Sequence, residues 1–327
     1  MSKLAIVFAG GGGKGAYQIG VWKALKEFGV DQNIGAIAGT SVGALNAVAL
    51  VQGDFELAER IWLNISHSKF LKVDALKALP SFTKLLNSRI NDKILDIFLK
   101  NRIAFGVFSR KGLEQIIDQY IDLDVVSSSN IQCYITCCEM PSKRAVYFNV
   151  AGASKERIKS LLLATSALPI IYEKETINNK SYIDGGLVDN VPVAPLYQEG
   201  YRNFLVVHLS RDSLIQTEIF PEANIIQIVP KLHQGALVDG TLDFNSSNAM
   251  IRIEQGYEDT KHILQPLYEM GMIQEKIMDT VRRMKKDNQQ FTSIREGLLS
   301  ERQERKKELE EVLNSGWINI GPATADK

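Results

Sequence analysis

A chain of 327 residues with 45% hydrophobic content is long enough for one large core with an appendage, or for two domains. Its 38 basic and 38 acidic residues cancel, which removes any global electrostatic case for nucleic acid as a partner. No uninterrupted apolar run reaches the roughly 18 residues that a spanning helix needs, so membrane contact is expected to be peripheral.

The chain opens on an apolar run from Lys3 to Ala9, read as a core strand over Leu4 to Ala9 because it leads straight into Gly10-Gly11-Gly12-Gly13-Lys14-Gly15. That continuity also argues against a secretory leader. A helix is predicted over Gly15 to Phe28, with Ala16, Ile19, Trp22 and Leu25 at helical spacing. Consecutive glycines at a helix start leave backbone N–H groups open to an anion, which is either a phosphate or the oxyanion of acyl transfer. The phosphate loops fit poorly. A Walker A loop needs Ser or Thr where Gly15 stands, and a dinucleotide fold built on Gly10, Gly12 and Gly15 needs an acidic residue at the end of the next strand. A nucleotide or dinucleotide binder that uses this loop without hydrolysis remains the alternative reading.

The next strand, Ile34 to Ala38, ends instead in Gly39-Thr40-Ser41-Val42-Gly43, and Val42 to Val51 reads as a helix apolar on nearly every side. Glycines flanking a serine let a strand turn sharply into a helix and expose the hydroxyl, which is nucleophile geometry. The plainer reading is a tight glycine-rich connection. Loop and elbow end successive strands of one βαβ unit and so face each other across its carboxyl edge, which favours the oxyanion reading.

Further helices are predicted at Asp54 to Asn64, Lys111 to Tyr120 and Lys155 to Leu163. Strands follow at Ile131 to Cys138, Ala145 to Asn149, Ser181 to Ile183, Phe204 to Leu209 and Ile225 to Val229. This alternation predicts a mostly parallel α/β fold of three layers. Between the helices, Ser68 to Arg89 interleaves large apolar residues with Lys69, Lys72, Lys77, Lys84 and Arg89 against the single acid Asp74. Such a segment lies on an anionic lipid surface or packs as a helix pair with solvated lysines. Cys133, Cys137 and Cys138 crowd into one strand, which suits reduced, buried thiols of a cytosolic protein better than disulfides or a zinc site. No metal or cofactor is expected.

Ser181 to Ile183 runs into Asp184-Gly185-Gly186. Asp-Gly is ordinary turn chemistry, yet a nucleophilic serine needs a base. His67, His233 and His262 fall in polar or helical contexts, whereas His208 ends a strand and follows Asp184, so a Ser-Asp-His order is formally available. A carboxylate acting alone becomes a competent base when burial raises its pKa from near 4.

These three motifs, in this order, resemble the patatin-like phospholipases. That family carries G-G-G-x-[K/R]-G, matched by Gly10 to Gly15; G-x-S-x-G, matched by Gly39 to Gly43; and D-G-[G/A], matched by Asp184, Gly185 and Gly186. Weaker habits recur in Ala164 to Pro169 and in Asn190 and Pro192, and the similarity covers roughly residues 1 to 230. The resemblance implies a Ser-Asp dyad of Ser41 as nucleophile and Asp184 as base, with an oxyanion hole at Gly11, Gly12 and Gly13. It further implies a serine esterase of phospholipase A type acting on membrane glycerophospholipids, in the cytoplasm with peripheral membrane association during catalysis. Gly13 departs from the aliphatic residue or alanine that is frequent there. Lys14 is read either as facing a lipid phosphate or, more simply, as a solvated or ion-paired lysine at the helix start. Some bacterial relatives are effectors held inactive until a signal arrives, and no residue here identifies such a signal. Residues 231 to 327 form a helical C-terminal region, with Ile273, Ile277, Val281 and Met284 at helical spacing before a charged run from Glu301 to Glu311. It is expected to be an exposed helix, serving a second copy of the chain or a regulatory partner.

Overall fold

A computed structural model describes residues 3–64, 110–169 and 172–315. His67 and the basic amphipathic segment Ser68 to Arg89 lie outside them. The chain divides into two compact units, Met1–Gln265 and Pro266–Lys327.

Among the described residues the strands are β1 (Leu4–Phe8), β2 (Ile34–Thr40), β3 (Gln132–Met140), β4 (Arg144–Asn149), β5 (Glu175–Ile177), β6 (Lys180–Asp184), β7 (Asn203–Val207) and β8 (Asn224–Ile228). The helices are α1 (Ala16–Glu27), α2 (Val42–Gln52), α3 (Phe55–Asn64), α4 (Lys111–Tyr120), α5 (Leu123–Ser128), α6 (Lys155–Thr165), α7 (Ala194–Gln198) and α8 (Ser246–Asn314). Every strand read from the sequence is present within two residues of its expected ends. Three short elements, β5, α5 and α7, had no periodic signal to announce them.

One sheet runs in the order β5-β6-β3-β2-β1-β7-β8, with β4 also on β3. β3, β2, β1, β7 and β8 are mutually parallel, while β4, β5 and β6 join antiparallel. The central parallel strands β1, β2, β3 and β7 are buried at nearly every position because both faces are covered, whereas β4, β5 and β8 at the margins are partly exposed. Alternation divides them: Ile6, Phe8, Ile37, Ile135, Leu205 and Val207 point into the larger core with α1, α2 and α6. Ala5, Val7, Ala36, Ala38, Phe204 and Val206 point into a smaller core closed by Val193 and Leu196 at α7. The result is the mixed three-layer α/β architecture that the sequence anticipates.

Small residues bring the layers close. α2 lies so near β1 that a Cβ on Gly43 would strike the Phe8 carbonyl. α8 crosses α1 just as tightly, because a Cβ on Gly256 would strike the Tyr17 carbonyl and one on Gly20 the Ile253 carbonyl. Tyr17 fixes that crossing by donating its phenol to Asp259 Oδ2 at 2.9 Å.

In the second unit, α8 is exposed from Pro266 to Asn314, with Ile273, Ile277, Val281 and Met284 all open to solvent. Among the described residues no helix is long and apolar enough to cross a membrane.

Candidate active site

The register of β3 explains why two distant residues meet. Along β3, Tyr134 to Glu139 pair with β4. β2 pairs with Gln132 to Thr136 and β6 with Cys137 to Met140. Since β4 overlaps both, β2 and β6 must share the other edge of β3, end to end. β2 runs parallel to β3 and stops with Thr40 beside Thr136, while β6 runs antiparallel and stops with Asp184 beside Cys137. Two strand ends therefore converge at neighbouring rungs. Ser41 and Asp184 stand where they meet, and Ser41 Oγ donates to Asp184 Oδ2 at 2.6 Å.

Ser41 sits on the turn from β2 to α2 with φ 55° and ψ −126°, a strained conformation for a residue with a side chain. The turn is held open by the absence of side chains around it, since a Cβ on Gly39 would strike the Gly43 carbonyl. The Ser41 amide donates to Thr165 Oγ1 at 2.9 Å, and the Thr165 hydroxyl donates to the Thr136 carbonyl at 2.5 Å. Thr165, at the end of α6, thus binds the elbow to the same rung of β3 that receives β2.

Asp184 is fully enclosed, with 1% of its surface exposed. Its Oδ1 accepts from the Gly186 amide at 2.8 Å. Burial pushes its pKa up from 3.8 to about 6, against the opposing pull of the hydrogen bonds from Ser41 and Gly186. Gly185 must lack a side chain, because a Cβ there would strike the Thr136 carbonyl.

The glycine loop lies across from the dyad. Gly12 has φ +57°. Among the described residues no acceptor takes the amide protons of Gly11, Gly12 or Gly13, whereas Gly10 N donates to Asn190 O at 3.2 Å and Lys14 N to Gly11 O at 3.3 Å. Asn190 returns a bond from Nδ2 to Gly10 O at 3.2 Å, which links the first motif to the segment following the third. Behind the loop, a buried polar chain secures both ends: Gln18 Nε2 donates to Ala9 O at 2.8 Å and Asn46 Nδ2 to Gly15 O at 2.9 Å. Asn46 also donates to Gln18 Oε1 and accepts from Trp62 Nε1, so the chain is satisfied throughout.

Loop, elbow and carboxylate open on a cleft of about 310 Å³ that is lined by Gly11, Gly12, Ser41, Asp184 and Lys14. Lys14 is half-buried there, and burial, followed by the nearby Arg252, holds its pKa below the usual lysine value. Beside Ser41 an apolar slot of about 40 Å³ begins between Val42, Leu45, Leu168, Tyr172 and Phe244.

The structure thus brings together Gly10, Gly11, Gly12, Lys14, Ser41, Asp184 and Gly186 around the cleft, while Gly13 is buried behind it against the Asp243 carbonyl. It keeps His208 apart. That ring is buried, with Nε2 2.8 Å from Gln227 Oε1 and Nδ1 3.2 Å from Ser213 Oγ, and neither nitrogen is bonded to Ser41 or Asp184. Asp189, the next acid along the chain after Asp184, is occupied by Tyr147, which donates to its Oδ2 at 2.7 Å. The three cysteines are free and buried on β3, and burial drives the Cys133 thiol up to about 12. Two positions carry more of the site than the sequence suggests. Thr165 falls in the recurring Ala164 to Pro169 run with no role attached to it, and Arg252 reads as one charge among many on a long helix.

Comparison with known proteins gives the same outline. A family model described as patatin-like phospholipase matches residues 6–197. No curated protein sequence matches the chain. Among solved structures, VipD from Legionella pneumophila is similar at 14% identity and TM-score 0.47, over 81% of this chain and 67% of that one. The type III effector ExoU of Pseudomonas aeruginosa aligns at 15% identity and TM-score 0.41, over 82% of this chain and 54% of that one. Human GIVD cytosolic phospholipase A2, in complex with methyl γ-linolenyl fluorophosphonate, aligns at 11% identity and TM-score 0.47, over 82% and 58%. The chain spans little more than half of the last two proteins.

Proposed function

Since this chain belongs to the patatin-like phospholipase family, we propose that it is a serine acyl hydrolase that cleaves carboxylic esters of membrane glycerophospholipids at the bilayer surface. The observation that carries this reading is the 2.6 Å hydrogen bond from Ser41 Oγ to a buried Asp184 that holds its proton up to about pH 6. A base of that strength is ionised at neutral pH yet accepts a proton more readily than a solvated carboxylate.

The steps follow from the geometry. Ser41 Oγ attacks the ester carbonyl carbon while its proton passes to Asp184 Oδ2. The carbonyl oxygen gathers negative charge and, in this reading, is met by amides of the Gly11 to Gly13 region. Collapse expels the lyso-lipid alkoxide, which takes the proton from Asp184, and leaves the acyl chain on Ser41. Water then attacks the acyl-enzyme, gives its proton to Asp184, and releases the fatty acid as Ser41 regains a proton. One water is consumed per ester cleaved. The apolar slot beside Ser41 suits the start of the acyl chain, and Lys14 places a cation at the mouth of the cleft.

Residues 1–230 carry this chemistry in our reading, and the exposed helix beyond Pro266 serves a second copy or a regulatory partner. The location that fits is the cytoplasm, with peripheral attachment during turnover. The test is mass spectrometry of a defined phospholipid mixture incubated with the wild type and with Ser41→Ala, together with labelling by a fluorophosphonate. Release of fatty acid and lyso-lipid by the wild type alone is the expected result. Equal release by both proteins, or labelling that survives Ser41→Ala, overturns the assignment.

A further inference from the structure

The glycine loop does not stand on its own backbone. Gly12 and Gly13 press against residues 241–243, so closely that a Cβ on Gly12 would strike the Thr241 carbonyl and one on Gly13 the Asp243 carbonyl. Both surfaces of this contact are main chain, and main chain alone has no means of staying in register there. The Lys14 side chain lies against Gly240, just before these residues, and a second side chain bonds to both surfaces. Arg252 of α8 is buried, with 6% of its surface exposed, and its guanidinium is used almost in full. One terminal nitrogen donates to Gly13 O at 3.3 Å and to Asp243 O at 3.0 Å. The other donates to Asp239 O at 2.9 Å, to Gln234 O at 3.4 Å and to the Asp243 carboxylate at 2.9 Å. The first nitrogen thus holds the two apposed carbonyls, and the second holds the turn Leu237–Thr241 and its flanks.

We infer that Arg252 is a positioning residue for the oxyanion loop, and that residues 231–265, beyond the stretch matched by the family, belong to the catalytic apparatus. This rests on the reading of Gly11 to Gly13 as the oxyanion site. By fixing the Gly13 carbonyl, Arg252 sets the plane of the Gly13–Lys14 peptide and so the position of the loop whose Gly11 and Gly12 line the cleft. A planar fork with donors in fixed directions is suited to this task, and a lysine is not, because one ammonium cannot reach the Gly13 carbonyl and the Asp239 carbonyl together. The negative charge of Asp243 sustains the buried guanidinium and has no other cation in contact among the described residues.

Two variants test the inference, and Tyr17→Phe serves as control because it loosens the same crossing of α1 and α8 without touching the loop. Arg252→Lys keeps a charge beside Asp243. The double variant Arg252→Met with Asp243→Leu removes both charges of the buried pair together, so no uncompensated charge is left, at the further loss of the bonds that Asp243 accepts from Asn245 N and Asn248 Nδ2. For each folded variant, kcat and KM are measured on a soluble short-chain ester, and amide hydrogen exchange is followed at Lys14, whose N–H closes the loop on Gly11. The expected result is a fall in kcat of about ten- to a hundredfold with KM nearly unchanged, the range that a displacement of about 1 Å produces. Exchange at Lys14 should rise in step. Tyr17→Phe should lower the melting temperature and leave kcat within about twofold. The inference is overturned if either folded Arg252 variant keeps wild-type kcat and wild-type exchange at Lys14, or if Tyr17→Phe matches them in both. Ser41→Ala assayed alongside separates the two readings: should the wild type show no Ser41-dependent turnover, the hydrolase assignment fails, and exchange at Lys14 still decides the role of Arg252.

Discussion

Replacing Asp184 by asparagine should change both rate and stability, and the stability change has a sign that depends on pH. Burial raises the carboxyl from 3.8 to about 6, so the folded protein binds this proton more tightly than the unfolded chain does. The stability contributed by protonation is therefore fully present below about pH 4 and is lost as pH rises through 6. A rise of about two units at about 1.4 kcal/mol each means that the ionised carboxylate costs the fold roughly 3 kcal/mol relative to the neutral acid. About 1.4 kcal/mol of this appears between pH 8 and pH 5, because pH 5 lies about one unit below the folded-state value. Asparagine does not titrate. Urea unfolding of wild type and Asp184→Asn at both pH values should then show the variant gaining about 1.4 kcal/mol on the wild type at pH 8 relative to pH 5, with all other titrations cancelling. The same ionisation should appear in catalysis: kcat/KM of the wild type on a neutral ester should rise through about pH 6 to a plateau, and the variant should show no turnover. A stability difference that is the same at pH 5 and pH 8, with a wild-type rate flat down to pH 5, would falsify the account of Asp184 as a buried, proton-accepting partner of Ser41.

Nucleophile and base act as one unit, so Ser41→Ala with Asp184→Ala should be little slower than either single variant, and additive losses in single-turnover rates would contradict the dyad. His208→Ala should destabilise by about 1–3 kcal/mol, since a buried ring with two hydrogen-bond partners is lost, yet ester turnover per folded molecule should persist; abolished turnover in folded protein would restore the Ser-Asp-His triad. In the loop, Gly11→Ala meets only the Leu209 side chain, whereas Gly12→Ala combines positive φ with the Thr241 carbonyl. Chemical unfolding should accordingly rank Gly12→Ala as the costlier by about 1 kcal/mol or more, and the reverse order would contradict the packing described for the loop. ATP or NAD should leave the melting temperature of the wild type unchanged, and a rise that Gly12→Val abolishes would identify a phosphate site instead.

Much of this was readable in the sequence because the chemistry imposes local patterns. Glycines at 12, 13, 39, 43 and 185 mark places where backbone must approach backbone, and apolar runs mark strands covered on both faces. The shorter elements were not readable, because β5, α5 and α7 are set by what they pack against rather than by any period of their own. Nor does the sequence reveal that β2 and β6 share an edge of β3, since that depends on where β4 lies. Thr165 and Arg252 escaped for a related reason. Each acts on backbone atoms more than a hundred residues away, so that even Thr165, inside the recurring Ala164 to Pro169 run, shows its role only once the chain has folded.

The convergence of two strand ends on β3 also has a bearing on how the chain comes into being. β1, α1, β2 and the elbow are contiguous and are made before β3 and β6, so the alcohol of Ser41 is present ahead of its partner. Its partner lies 143 residues further along, and β6 has no position to occupy until β3 has been laid beside β2 and β4 has folded back upon it. Long-range pairings of this kind form late. A nascent chain halted before residue 184 would carry a strained serine with no proton acceptor. On the dyad reading, the nucleophile of such a chain waits for its base until β6 has paired with β3.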